Sequence, residues 1–113
     1  MQINIENAEH YKWGDHCDGW HLLKNDSLSV IQERMPSGCK EVRHFHKKSR
    51  QFFYVLSGLA KIEINGSDYD LKAGEGIEVA PEIPHQFKNL SSEDVIFLVV
   101  SSPNSHGDRV NVE

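Results

Sequence analysis

Residues Gln51–Leu71 read QFFYVLSGLAKIEINGSDYDL, and their punctuation decides the fold. An aromatic and branched run, Gln51–Leu56, closes on Ser57-Gly58. Ala60–Ile64 then alternates, with Ala60, Ile62 and Ile64 on one face and Lys61 and Glu63 on the other. Asn65-Gly66 follows. Both residues tolerate positive φ, so the pair predicts a two-residue turn into an antiparallel return strand at Tyr69–Leu71. Three strands within 21 residues leave no room for a crossover helix.

Working outward, the same grammar repeats. Ser27–Met35 reads as a strand stopped by Pro36-Ser37-Gly38, and Glu41–His46 alternates towards the 51–56 run. Gly76–Val79 ends at Ala80-Pro81, and His85–Asn89 follows Pro84. Asp94–Ser101 is apolar at nearly every position, which predicts a strand buried on both faces. Residues 7–16 have room for a turn of helix, and the last ten residues read as irregular. Eight or more short strands, with Gly, Pro and Asn between them and no βαβ alternation, predict an all-β sandwich or barrel.

Composition agrees and excludes several function classes. With 113 residues the chain has room for one domain, 1–113. Apolar residues are 38% and charged residues 26%, a globular balance rather than a disordered one. A net charge of −5 argues against nucleic-acid binding. No apolar run is long enough to span a membrane, and the N-terminus shows no signal-peptide pattern. Cys17 and Cys39 have no metal-type spacing, so a disulfide scaffold is not expected. A cytoplasmic protein is the expectation.

Seven histidines is a high count, and three of them lie in strand-like segments. Residues two apart on a strand share a face, so His44 and His46 project together as a chelating pair would. If 41–46 and 51–56 form a hairpin, Gln51 sits opposite that pair. His85 arrives from a separate strand. Three imidazoles and an oxygen donor would suit one divalent transition metal: Zn, Ni, Mn or Fe.

These residues resemble the small single-domain cupins. The first motif of that family runs Gly, five residues, His-x-His, three or four residues, Glu, six residues, Gly. Here it reads Gly38, CKEVR, His44-Phe-His46, KKSR, Gln51, FFYVLS, Gly58, with Gln51 in place of the Glu. The second motif runs Gly, five residues, Pro-x-Gly, two residues, His, three residues, Asn. Here it reads Gly74, EGIEV, Ala80-Pro-Glu82, IP, His85, QFK, Asn89, with Ala80 and Glu82 replacing the Pro and Gly.

The resemblance spans about residues 27–101. It implies a double-stranded β-helix (jelly-roll) barrel, such as that of mannose-6-phosphate isomerase, and a homodimer. It also implies that His44, His46 and His85 hold metal, with Gln51 in the remaining ligand position. Gln51 either ligates directly or hydrogen-bonds a ligand. A neutral amide leaves the ion its full charge, which points to Lewis-acid chemistry: isomerisation, ring opening or elimination on a sugar-like or keto-acid compound. A non-catalytic binding or sensing barrel and an iron-dependent dioxygenase are the other readings.

Further candidates follow from alternation. Glu33 shares a strand face with Ile31 and Met35 and is the candidate acid/base if that face is internal. Phe53 and Phe87 are expected pocket walls, while Phe45, Phe52 and Tyr54 point the other way. Lys40, Arg43, Lys47, Lys48 and Arg50 form a basic cluster able to attract an anion, or a solvated loop. Asp108-Arg109 in the tail is a candidate closing segment, and His16 or His21 a candidate entrant to the site.

Overall fold

The structure, a computed structural model, describes residues 2–112. Eleven strands and no helix occur among them: β1 (Glu9–Trp13), β2 (Cys17–Lys24), β3 (Ser29–Met35), β4 (His44–His46), β5 (Arg50–Ser57), β6 (Leu59–Ile64), β7 (Ser67–Lys72), β8 (Gly76–Val79), β9 (His85–Lys88), β10 (Val95–Ser102) and β11 (Arg109–Asn111). No helix is present to cross a membrane among the described residues.

Two antiparallel sheets face each other. One has the order β1-β2-β3-β10-β5-β8 and the other β11-β4-β9-β6-β7. The decisive hairpin forms as its sequence requires: Ile64 pairs with Ser67 around Asn65 (φ 51°) and Gly66 (φ 92°). The resulting architecture is the double-stranded β-helix barrel.

Between the sheets lie Met35, Phe53, Val55, Ile62, Phe87, Val95 and Phe97, each at most 2% exposed. Phe87 stacks on Phe97 at 4.0 Å and on Phe53 at 5.5 Å, ring centroid to centroid. Offset aromatic packing of this kind adds to the area-driven burial of each ring. Towards one end the inward residues turn polar. Ser29, Ile31 and Glu33 of β3 pair with Ser101, Val99 and Phe97 of β10, and Gln51 and Phe53 of β5 flank them. That polar end is where the site forms.

Several expectations need correction. Residues 9–13 form a strand instead of a helical turn; the turn lies just before it, where Asn7 and Ala8 N–H donate to the Asn4 carbonyl. Its alternation is short and polar, with only Tyr11 and Trp13 facing inward. The tail is ordered by β11, which pairs with β4. β4 and β5 do not form a hairpin, because the chain changes sheets at residues 47–49. Finally, β10 is fully buried only on its inner face; Ile96, Leu98 and Val100 remain partly exposed on the outer one.

Candidate metal centre

β4 and β9 are adjacent, and His44 pairs directly with His85. His46 lies one pleat further along β4. The three ring centroids are 4.5, 4.9 and 5.9 Å apart, and one nitrogen from each ring lies within 4.8 Å of the others. All three side chains are buried.

For His44 and His85 the second ring nitrogen explains the aim of the first. His44 Nδ1 lies 2.7 Å from the Val42 carbonyl and His85 Nδ1 lies 3.1 Å from the Ile83 carbonyl. Each such bond places the proton on Nδ1 and leaves a lone pair on Nε2, as metal-binding imidazoles require. His85 Nε2 is buried with no partner. Burial, aided by the neighbouring histidines, pushes His44 down to about 3 and His46 to about 4; burial lowers His85 too. Near neutral pH the triad is therefore uncharged and available to a cation.

Gln51 lines the same cavity, but from the opposite sheet. Its Nε2 donates to Ser101 Oγ at 3.0 Å, while its Oε1 is buried and unpartnered. A buried acceptor without a donor is costly, and a cation would satisfy it. The three histidines could hold a metal, and this orphaned oxygen fits them.

The cavity encloses about 270 Å³. Glu33 faces it, with Oε2 accepting a 2.9 Å hydrogen bond from the Tyr11 hydroxyl. Tyr11 is a wall that sequence reading missed, because β1 was not read as a strand. Burial pushes Glu33 up to about 7, although the Tyr11 bond opposes the shift. Glu41 also lines the cavity. Its Oε1 accepts from the Phe87 N–H at 2.9 Å, and burial raises it to about 8. The alternation expected over Glu41–His46 would aim Glu41 away from the His pair, but only His44–His46 form the strand and residues 41–43 are irregular, so Glu41 turns into the cavity.

Phe53 and Arg109 line the cavity as well. Phe87 does not: at 0% exposure it lies in the aromatic stack behind Phe53. Arg109 is steered by Asn111 Oδ1 (2.9 Å) and the Val42 carbonyl (3.3 Å). Asp108 instead closes the 47–49 sheet change, accepting from the backbone N–H groups of Lys48 and Ser49 at 2.9 Å each. The basic cluster does not reach the cavity. Arg43 pairs with Glu63 and Arg50 with Glu78. His21 lines an adjoining outer cleft with Tyr11 and Lys24, and His16 is exposed on the 14–16 turn.

Comparison with known proteins places this geometry. The family model described as "Cupin domain" matches residues 30–101. The uncharacterized protein MJ1618 of Methanocaldococcus jannaschii is 27% identical over 94 residues, which are 82% of this chain and 75% of that protein. An oxalate-binding protein of Thermotoga maritima is 26% identical over 85 residues, covering 71% of this chain and 70% of its own. The solved structure of the polyketide cyclase RemF from Streptomyces resistomycificus superposes with a TM-score of 0.84 at 18% identity, over 100% of this chain and 85% of that one. Other curated relatives are longer, and the chain spans 45% and 39% of two of them. With two facing antiparallel sheets, a three-histidine cluster on adjacent strands and a family match over most of its length, the chain belongs to the cupin family.

Proposed function

We propose that this cupin is a metal-dependent enzyme that moves a proton next to a carbonyl, in the manner of an isomerase or lyase. The compound is small and carries an oxygen donor beside that carbonyl, as a 2-oxo acid or an open-chain sugar does. The observation that supports this most is the placement of Glu33, hydrogen-bonded to Tyr11, in the same cavity as His44, His46, His85 and Gln51. A divalent transition ion bound by those four side chains would polarise the carbonyl oxygen and lower the cost of an adjacent carbanion.

The protein's own groups do the rest. Glu33, poised near neutrality, takes the proton in its carboxylate form and returns it to a neighbouring atom. Tyr11 holds that carboxyl in one orientation. Arg109, whose Nε and one terminal nitrogen are held within the chain, presents its remaining donors to a carboxylate or hydroxyl of the compound. Phe53 and Val99 make one apolar wall.

The test is hydrogen–deuterium exchange at the methyl group of pyruvate in D2O, followed by NMR, with Zn, Ni, Mn or ferrous ion supplied in turn. Exchange should accelerate with the loaded wild type. It should fall about 10²-fold or more for Glu33→Gln at unchanged metal content, and vanish with the metal in His44→Ala/His46→Ala. A loaded protein that binds pyruvate without accelerating exchange for any ion would instead identify a binding or sensing barrel. Oxygen consumption with ferrous ion would identify an oxygenase.

We also propose that two copies pair through the outer face of the six-stranded sheet. Phe52 and Leu56 are each 42% exposed there, beside Tyr54, Leu98 and Val100.

A further inference from the structure

The chain's two cysteines are 22 positions apart and lie on different elements, yet they meet. Cys17 begins β2. Cys39 sits in the connection between β3 and β4. Both thiols approach one backbone oxygen, the Asp15 carbonyl, with Cys39 Sγ at 3.2 Å and Cys17 Sγ at 3.9 Å. Gly14 and His16, with φ of 52° and 65°, curl the turn so that this carbonyl faces them. Cys17 is completely buried in the core, while Cys39 packs against that core and keeps partial access to solvent.

We infer that Cys39 and Cys17 form a thiol modification site, in which Cys39 reacts with a small-molecule disulfide and Cys17 resolves the adduct into an intramolecular bond. The Cys39 thiolate attacks one sulfur of the disulfide, and the first thiolate leaves and takes a proton. The Cys17 thiol then gives up its proton and attacks the Cys39 sulfur, expelling the second thiolate. Two protein thiols are oxidised by two electrons, one disulfide is reduced, and two small thiols depart. The division of labour follows from access. Cys39 keeps contact with solvent, whereas Cys17 is completely buried and meets no small-molecule disulfide, so Cys17 cannot lead.

The bond would matter to the site's geometry. It ties the 14–16 turn, which ends the strand carrying Tyr11, to the connection leading into Glu41 and His44. The Cys39 end is firmly placed, because the Asn89 N–H donates to the Cys39 carbonyl at 2.8 Å and the Gly38 N–H to the Asn89 carbonyl at 2.8 Å.

Folded protein, metal-loaded if metal binds, is treated with oxidised glutathione, quenched with acid and weighed intact. Wild type should lose the mass of two hydrogens, yield no free thiol on denaturation and melt several degrees higher, because the closed loop restricts the unfolded chain. Cys17→Ser should stop at the glutathione adduct on Cys39, and Cys39→Ser should remain unmodified while folded. Two results would overturn the inference: a stable glutathione adduct on wild-type Cys39, or bonds formed only between chains. Its outcome does not depend on catalytic activity.

Discussion

Among the ligand positions of the two motifs a single residue, Gln51, departs from the pattern; Ala80 and Glu82 are the other departures and are not ligand positions. A glutamate at position 51 would place an anion among three buried imidazoles. Gln51 supplies only an amide oxygen, steered by Ser101 on the next strand and left without a partner. Carboxyl groups lie elsewhere in the cavity, at Glu33 and Glu41, but burial keeps both largely protonated and so uncharged below neutrality. Glu41 has a measurable signature. Its folded pKa is raised to about 8 from an ordinary 4.5, so the folded state holds the proton more tightly than the unfolded one. That contribution is complete below about pH 4.5 and is lost as pH rises through 8. Glu41→Gln keeps an acceptor for the Phe87 N–H and removes the titration. Its melting temperature should exceed that of wild type by a few degrees at pH 9, and the two curves should converge at pH 4.5. The three histidines, depressed by burial, lose stability below about 6.5 in both proteins, so the difference between the curves isolates Glu41. Curves that stay parallel across this range would show that Glu41 ionises freely.

At the scale of elements, β1, β2 and β3 place Tyr11, Gly19 and Glu33 in one row: Tyr11 pairs with Gly19, and Gly19 with Glu33. The Tyr11 ring lies across Gly19, and a Cβ built there would come within 2.2 Å of Tyr11 Cζ. The missing side chain is what lets the Tyr11 hydroxyl span a strand and reach Glu33. Tyr11→Phe keeps the ring over Gly19 and removes only the bond that lowers the Glu33 pKa, so carboxyl titration followed by NMR should show Glu33 rising above about 7; an unmoved Glu33 would mean that the bond does not form in solution. Gly19→Ala should instead expel the ring and open Glu33 to water, which lowers its pKa because burial is the larger cause of the shift. The legibility of the sequence divides along the same lines. His44, His46, Gln51, His85 and Glu33 were readable because motif spacing and period-2 alternation are local. Tyr11 was not, since its role depends on which strand lies beside β2 and on an absent side chain, at Gly19, that lets it reach a partner two strands away. Glu41 belongs to no regular element, and its direction is set by the Phe87 and Gln86 hydrogen bonds from β9. Phe87 was assigned to the correct face of its strand, but alternation gives direction and not depth; the ring lies below the cavity floor. Gln51 was expected within a hairpin, yet it reaches the histidines across the barrel because the Lys47–Ser49 turn moves the chain to the other sheet.

Across the whole molecule, one strand carries more apolar surface than the chain covers. β10 is apolar on both faces, as strands covered from both sides are, yet this chain covers only one of them. Its outer residues Leu98 and Val100 pair with Tyr54 and Phe52 of β5, and Val100 also with Val30 of β3. Phe52 and Tyr54 stack there at 6.2 Å, on the outer face away from the cavity. The patch is continuous, central to the six-stranded sheet and bounded by the Arg50–Glu78 and Arg34–Asp94 ion pairs. An apolar sheet centre inside a charged rim has the anatomy of an interface, and a second copy would complete the burial that the β10 sequence encodes. Light scattering coupled to size exclusion should give twice the 12.9 kDa chain mass at micromolar concentration. Phe52→Asp/Leu98→Asp places two charges on the patch and none near the cavity. It should run as a monomer and bind metal as wild type does, and its melting temperature should no longer depend on protein concentration. A monomeric wild type, or an aspartate pair that leaves the assembly intact, would locate no contact on this face.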